Sequence, residues 1–172
     1  MEKYSRIKAL ISLDAIRYNY EQMKKNIKEG TKIIAVIKAD AYGHGAVPIA
    51  RMLEEFDYIW GFAAATAQEA LQLRRAGITR PILILGLVFE EYYKKLAEND
   101  VRMAVCDYET ARKFNKAAEA AGKKGLIHLA ADTGMTRIGF KDSEESLEEI
   151  RRIAALPNVE IEGLFTHFAR AD

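Results

Sequence analysis

Short apolar runs alternate along the chain with segments whose apolar residues recur every three or four positions. The runs fall at 32–38, 58–65, 81–86, 101–106, 125–131 and 159–166. Each is rich in Ile, Val, Leu or Phe and most show little alternation, as expected of strands buried on both faces. The intervening segments read as helices. Leu13, Ile16, Tyr20, Met23 and Ile27 form one stripe along 10–29, with Ser12 placed to cap its start and Gly30 to end it. Ala46, Ile49, Ala50 and Leu53 stripe a second helix. Thr66 and Glu69 make a capping-box pattern ahead of Ala70 and Leu73, and Gly77 suits the exit. Segment 89–98 carries Tyr92, Tyr93 and Leu96 among charges, and the tyrosine pair reads as helix surface or interface packing. Asp107 is placed to cap a helix with Ala111, Phe114 and Ala118 that ends at Gly122. Ser143 starts another with Leu147, Ile150, Ile153 and Ala154, and Pro157 marks its end.

Repeated strand–helix alternation predicts an α/β fold with a parallel sheet and right-handed crossovers. Two architectures fit, an open doubly wound sheet and a (β/α)8 TIM-type barrel. A dinucleotide-binding sheet wants a Gly-rich fingerprint after its first strand, and Asp40-Ala41-Tyr42-Gly43-His44-Gly45 lacks that spacing. The barrel is the closer match, but one usually takes about 250 residues. Residue 172 falls just past the sixth strand. Six strands alone leave two edges and an apolar interior uncovered. The expectation is therefore one domain over 1–172, a barrel truncated after about six strands, and not a complete enzyme.

Composition narrows the class without naming a function. The chain is 49% hydrophobic and 30% charged with a net charge of +1, an ordinary soluble balance. Its basic residues are scattered, so nucleic acid is not an expected partner. One cysteine, Cys106, excludes an internal disulfide and fits a reducing compartment such as the cytoplasm. The N-terminus shows no cleavage-site pattern, and no apolar run approaches a membrane span.

Candidate chemistry gathers at the strand ends. Lys38 closes Ile33-Ile34-Ala35-Val36-Ile37 and opens into a Gly-rich turn. Lysine is rarely buried without a partner. One desolvated at the mouth of a sheet keeps a neutral, nucleophilic amine, the state that condenses with an aldehyde. Taken alone, Lys38 reads more simply as a surface lysine. In a barrel, however, the strand C-terminal ends line one active face. That face would collect Lys38 and Tyr42, Asp132 to Arg137, and His167. Such a set suits an anionic aldehyde cofactor: a lysine for the aldimine, a tyrosine hydroxyl for a phosphate, an arginine fork for an oxyanion, and an imidazole to pack on a flat ring.

Three stretches carry a family resemblance. Ala35-Val36-Ile37-Lys38-Ala39-Asp40-Ala41-Tyr42-Gly43-His44-Gly45 resembles the pyridoxal-phosphate attachment motif of alanine racemases. Asp132-Thr133-Gly134-Met135-Thr136-Arg137-Ile138-Gly139-Phe140 resembles their second motif, and Gly163-Leu164-Phe165-Thr166-His167-Phe168-Ala169 a third. The three stand in the family's order. The resemblance implies a fold-type-III enzyme that interconverts L- and D-alanine and supplies D-alanine for peptidoglycan. It implies that Lys38 binds pyridoxal 5'-phosphate and serves as base on the D-alanine face. Tyr42 would contact the cofactor phosphate, Arg137 the phenolic oxygen and the substrate carboxylate, and His167 the pyridine ring. It also implies a homodimer in the full-length protein; no metal is expected, because the histidines lack ligand spacing.

Two departures limit the carry-over. Many family members have a lysine, sometimes carbamylated, two residues before the aspartate of the second motif; here that position is Ala130. Alanine cannot pair with Arg137, so the arginine's fork is left free, and another anion such as chloride would fill the gap. The family's other half, with its β-rich domain and the tyrosine base for the opposite face, is not within the 172 residues. The fragment alone is therefore expected to racemise poorly or not at all. A non-catalytic pyridoxal-phosphate carrier of the same barrel fold stands as the alternative.

Other residues read more plainly. His128 falls mid-strand and is expected to be a hydrogen-bonded core residue, and neither it nor His44 has metal-ligand spacing. Cys106 reads as an inert thiol. The acidic and basic run over 144–152 reads as a solvated helix face. Asp132 suits either a general acid or a hydrogen-bonding role in the tight turn that follows it.

Overall fold

A computed structural model describes residues 7–171. The reading of the extreme N-terminus as lacking a leader rests in part on residues 1–6, outside the described residues. The elements follow the expected rhythm: α1 (Leu13–Lys25), β1 (Ile33–Val36), α2 (Lys38–Tyr42), α3 (Ala46–Leu53), β2 (Ile59–Ala64), α4 (Ala67–Arg75), β3 (Ile82–Ile84), α5 (Tyr93–Glu98), β4 (Val101–Val105), α6 (Tyr108–Ala121), β5 (Gly125–Ala131), α7 (Glu144–Ala154) and β6 (Val159–Thr166). All neighbouring strand pairs are parallel, and the sheet order is the sequence order, β1 through β6. That order decides between the two architectures. A doubly wound sheet reverses direction at a switch point. Here every step goes the same way, which makes a curled half-barrel, the truncated (β/α)8 form.

The convex side is the core. Phe62, Ile82, Ile84, Met103 and Ile127 of the strands meet Leu53, Leu73, Leu96, Phe114 and Ile153 of the helices, and all are essentially buried. Caps act as the side chains suggest. Ser12, Asp107 and Ser143 each accept an amide of the following first turn, and Thr66 with Glu69 forms a complete capping box. Two local expectations shift. α1 ends at Asn26 rather than Gly30, because Asn26 caps it by donating from its side chain to Gln22 O. Tyr93 is core rather than helix surface or interface, packed edge-on to Phe114 at 5.7 Å.

The two ends of the sheet differ. At the N-terminal end, arginines staple the loops. Arg80 donates to the carbonyls of Glu54, Phe56 and Ile59, and Arg74 to those of Ile78, Arg80, Asn99 and Asp100. The Glu54 carboxylate, held below the usual range chiefly by amide donors, accepts from Thr79 and Arg80. Inside the curl lies a polar layer in which Arg102, Glu162 and His128 are linked beside Trp60. The other end carries the candidate chemistry.

Candidate active site

Parallel strands deliver their C-terminal ends to one rim. β1 delivers Lys38, which opens α2, a single turn of the left hand. Ala39, Asp40, Ala41 and Tyr42 have φ of 51°, 53°, 53° and 55°. Each L-residue in that region costs about 1–2 kcal/mol, so four in succession must be held from outside. The chain holds them with hydrogen bonds. Ala41 N–H donates to Ile37 O at 2.9 Å and Gly43 N–H to Ala39 O at 3.0 Å. Asp40 Oδ1 accepts the amide of Ala46 at 2.7 Å, tying the turn to the start of α3. Gly43 and Gly45, with φ of 84° and 92°, let the chain leave it.

Lys38 is half-buried, and its Nζ lies 5.9 Å from the centroid of the Tyr42 ring. Tyr42 is 61% exposed, and its hydroxyl has no partner among the described residues. His44 is set apart from any ligand cluster, its Nδ1 3.0 Å from Ala41 O.

β5 delivers the second motif as a loop that closes on itself. Phe140 N–H donates to Ala130 O and Asp132 N–H to Phe140 O, at 2.8 and 2.9 Å. Inside the loop, Asp132 Oδ1 accepts the amides of Gly134 and Thr136 at 3.0 and 2.9 Å. Those donors hold the Asp132 carboxyl below its ordinary value. The two amide contacts give Asp132 the hydrogen-bonding role in the tight turn. Gly139 is required by contact, since a β-carbon there would lie 2.5 Å from Asp132 N. Arg137 projects from this loop exposed, with no hydrogen bond or ion pair among the described residues.

A cavity of about 270 Å³ lies inside the rim. Ile34, Val36, Ala63 and Leu83 give it an apolar wall, and Arg137 and His167 supply its polar end. Ala130 lines it with a methyl group. Thr166, which the sequence did not single out, orders the floor: its Oγ1 is 2.8 Å from Ala131 O and 2.7 Å from Thr133 Oγ1. The structure thus brings Arg137 and His167 into one cavity. It places Lys38 and Tyr42 together just outside the lining, at the end of the strand whose Ile34 and Val36 form part of the wall. An unpaired guanidinium and an imidazole lining one apolar recess suit a flat anionic ring, in a volume just below the ~300 Å³ at which ligand sites start.

The Cys106 thiol is half-buried and pushed up, first by burial and then by Asp107. His128 is a buried residue whose Nε2 lies 3.1 Å from Glu162, as its place in mid-strand suggests.

The family profile described as alanine racemase, N-terminal domain, matches residues 11–172. The chain belongs to the alanine racemase family. An alanine racemase from Methanococcus maripaludis is 43% identical over 164 residues, 95% of this chain and 44% of that protein. The structure of alanine racemase from Clostridium difficile 630 in complex with cycloserine superposes with a TM-score of 0.90 at 44% identity, over 93% of this chain and 44% of that one. A histidine racemase from Leuconostoc mesenteroides superposes with a TM-score of 0.83 at 31% identity, over 93% of this chain and 42% of its own. The chain thus spans less than half the length of these relatives. Among the described residues, no helix is long and apolar enough to cross a membrane.

Proposed function

We propose that this chain carries the cofactor-binding portion of an alanine racemase of the cytoplasm, acting on L- and D-alanine with pyridoxal 5'-phosphate. The observation that supports it most is that Arg137, without a partner among the described residues, lines one cavity with His167 at the rim that also carries Lys38. Lys38 would hold the cofactor covalently, and its Nζ would move the α-proton. Tyr42 would donate its hydroxyl to the phosphate. Arg137 would bind the phenolic oxygen and the substrate carboxylate, and His167 would pack on the ring. When bound, pyridoxal phosphate supplies the electron sink that acidifies the α-proton. The apolar wall of Ile34, Val36, Ala63 and Leu83 would exclude water from a bound ring.

Racemisation needs a base on each face of the substrate. The second base is assigned to sequence outside these 172 residues, brought in across a homodimer, so D-alanine production for peptidoglycan belongs to the longer protein. The chain alone carries one base, so it exchanges the α-proton slowly rather than racemising. Relatives that are alanine racemases at 43–44% identity favour this reading over a carrier. The test is exchange of the alanine α-proton in deuterated water with pyridoxal phosphate supplied. Exchange above the protein-free rate that is lost in Lys38→Ala supports the reading; equal exchange in parent and variant contradicts it.

A further inference from the structure

We infer that Glu69 is a positioning residue for Lys38, clamping the left-handed turn that sets the direction of the lysine. This rests on the reading of Lys38 as the cofactor-binding lysine. The Glu69 carboxylate faces two ways. Oε2 accepts the amides of Ala65 and Thr66 at 2.8 and 3.2 Å, which completes the capping box at the start of α4. Oε1 accepts the amide of Ala39, thirty positions away, at 2.9 Å. A helix cap uses only the local amides. The second oxygen serves a different element.

The amide it holds is the informative one. Ala39 N–H belongs to the peptide plane that carries the carbonyl of Lys38, so fixing it fixes ψ of Lys38. It is also the first of the four left-handed residues. The other restraints on the turn come from the same strand–helix unit: Ile37 O, Ala39 O and the Asp40–Ala46 bond. Ile37 N–H, just ahead of the turn, donates to Ala63 O of β2, and Glu69 is the side chain of that next unit that reaches the left-handed residues themselves, so it orients the turn against β2 and α4. An amide donating to a carboxylate is charge-assisted and short, which suits a restraint on a disfavoured backbone. A reacting amine displaced by about 1 Å loses on the order of a hundredfold in rate.

Three variants of the 172-residue chain separate positioning from capping: Glu69→Ala, Glu69→Gln and Thr66→Ala. Two readouts apply, deuterium exchange of the Ala39 amide and the rate at which pyridoxal phosphate becomes fixed to Lys38 by borohydride. Thr66→Ala loses the hydroxyl that accepts Glu69 N–H. It should lower the melting temperature and leave both rates within about twofold of the parent, because the Ala39 contact survives. Glu69→Ala should speed Ala39 exchange and slow Lys38 labelling, each by about tenfold. Glu69→Gln keeps the shape but offers one acceptor, and should fall between them. Parent-rate labelling in both Glu69 variants overturns the inference, as does Thr66→Ala slowing the labelling as much as Glu69→Ala. A parent chain that takes no label on Lys38 overturns the functional reading first, and this inference with it.

Discussion

Arg102 on β4 grips Glu162 on β6 with two nitrogens, Nε at 2.9 Å and Nη2 at 2.8 Å from the two carboxylate oxygens. The pair is well shielded, with side chains 12% and 27% exposed, and the guanidinium lies 5.7 Å from the centre of the Trp60 ring. Replacing Arg102 by Met leaves the carboxylate charged with only His128 beside it, and should cost on the order of 1.5–3 kcal/mol. The shift of the urea unfolding midpoint measures it.

The same pair predicts a pH dependence. Arg102 first, then His128, hold the Glu162 carboxyl below its ordinary 4.5. A depressed folded pKa contributes stability that is complete above the unfolded value and is lost as pH falls through the folded one. Unfolding midpoints of the parent should therefore fall more steeply than those of Glu162→Gln on going from about pH 5 to about pH 3. Parallel curves would contradict the assignment.

Gly163 on β6 faces the ring of His128, where an added β-carbon would lie 2.8 Å from Cε1 and Nδ1. Gly163→Ala should destabilise by about 1–3 kcal/mol through overpacking. His128→Ala in the same chain should relieve part of that cost, because the two positions share one contact. A double-mutant cycle on unfolding midpoints reads the coupling directly.

The loop that carries Arg137 depends on Gly139 more than on Gly134. Both have positive φ, 132° and 118°, but only at Gly139 does a β-carbon meet backbone, at 2.5 Å, against 3.9 Å to the nearest atom at Gly134. Gly134→Ala should cost about 1–3 kcal/mol from strain alone, and Gly139→Ala more. Melting temperatures rank them.

Burial and Asp107 raise the Cys106 thiol, so little thiolate forms near neutrality. Alkylation by iodoacetamide at pH 8 should run about tenfold or more slower than for a peptide cysteine. Alkylation at the peptide rate would mean an open thiol.

What the sequence showed and what it hid follow from distance along the chain. Strands and caps were legible because their signals are local. The Thr66–Glu69 box is a three-residue spacing, and Asp107 and Ser143 cap the turns that follow them. The left-handed turn was not legible. Ala39, Ala41 and Tyr42 carry no signal for positive φ, and its restraint comes from Glu69, thirty residues on. Arg102 sits inside an apolar run, and its partner lies sixty residues away on a strand two places along the sheet. Tyr93 read as helix surface or interface packing because its neighbours are charged, whereas α5 turns that one ring onto Phe114. The rim residues were legible as motifs. That Arg137 and His167 share a cavity while Lys38 and Tyr42 pair beside it emerged only from the folded strands.

The central claim is that Lys38 takes up pyridoxal phosphate. The most direct measurement is an absorbance spectrum of the purified chain with the cofactor, followed by borohydride reduction and peptide mapping. A visible band, with the fixed label on Lys38 and lost in Lys38→Ala, is the predicted result. Label scattered over surface lysines such as Lys94 and Lys116, with no band, would contradict it.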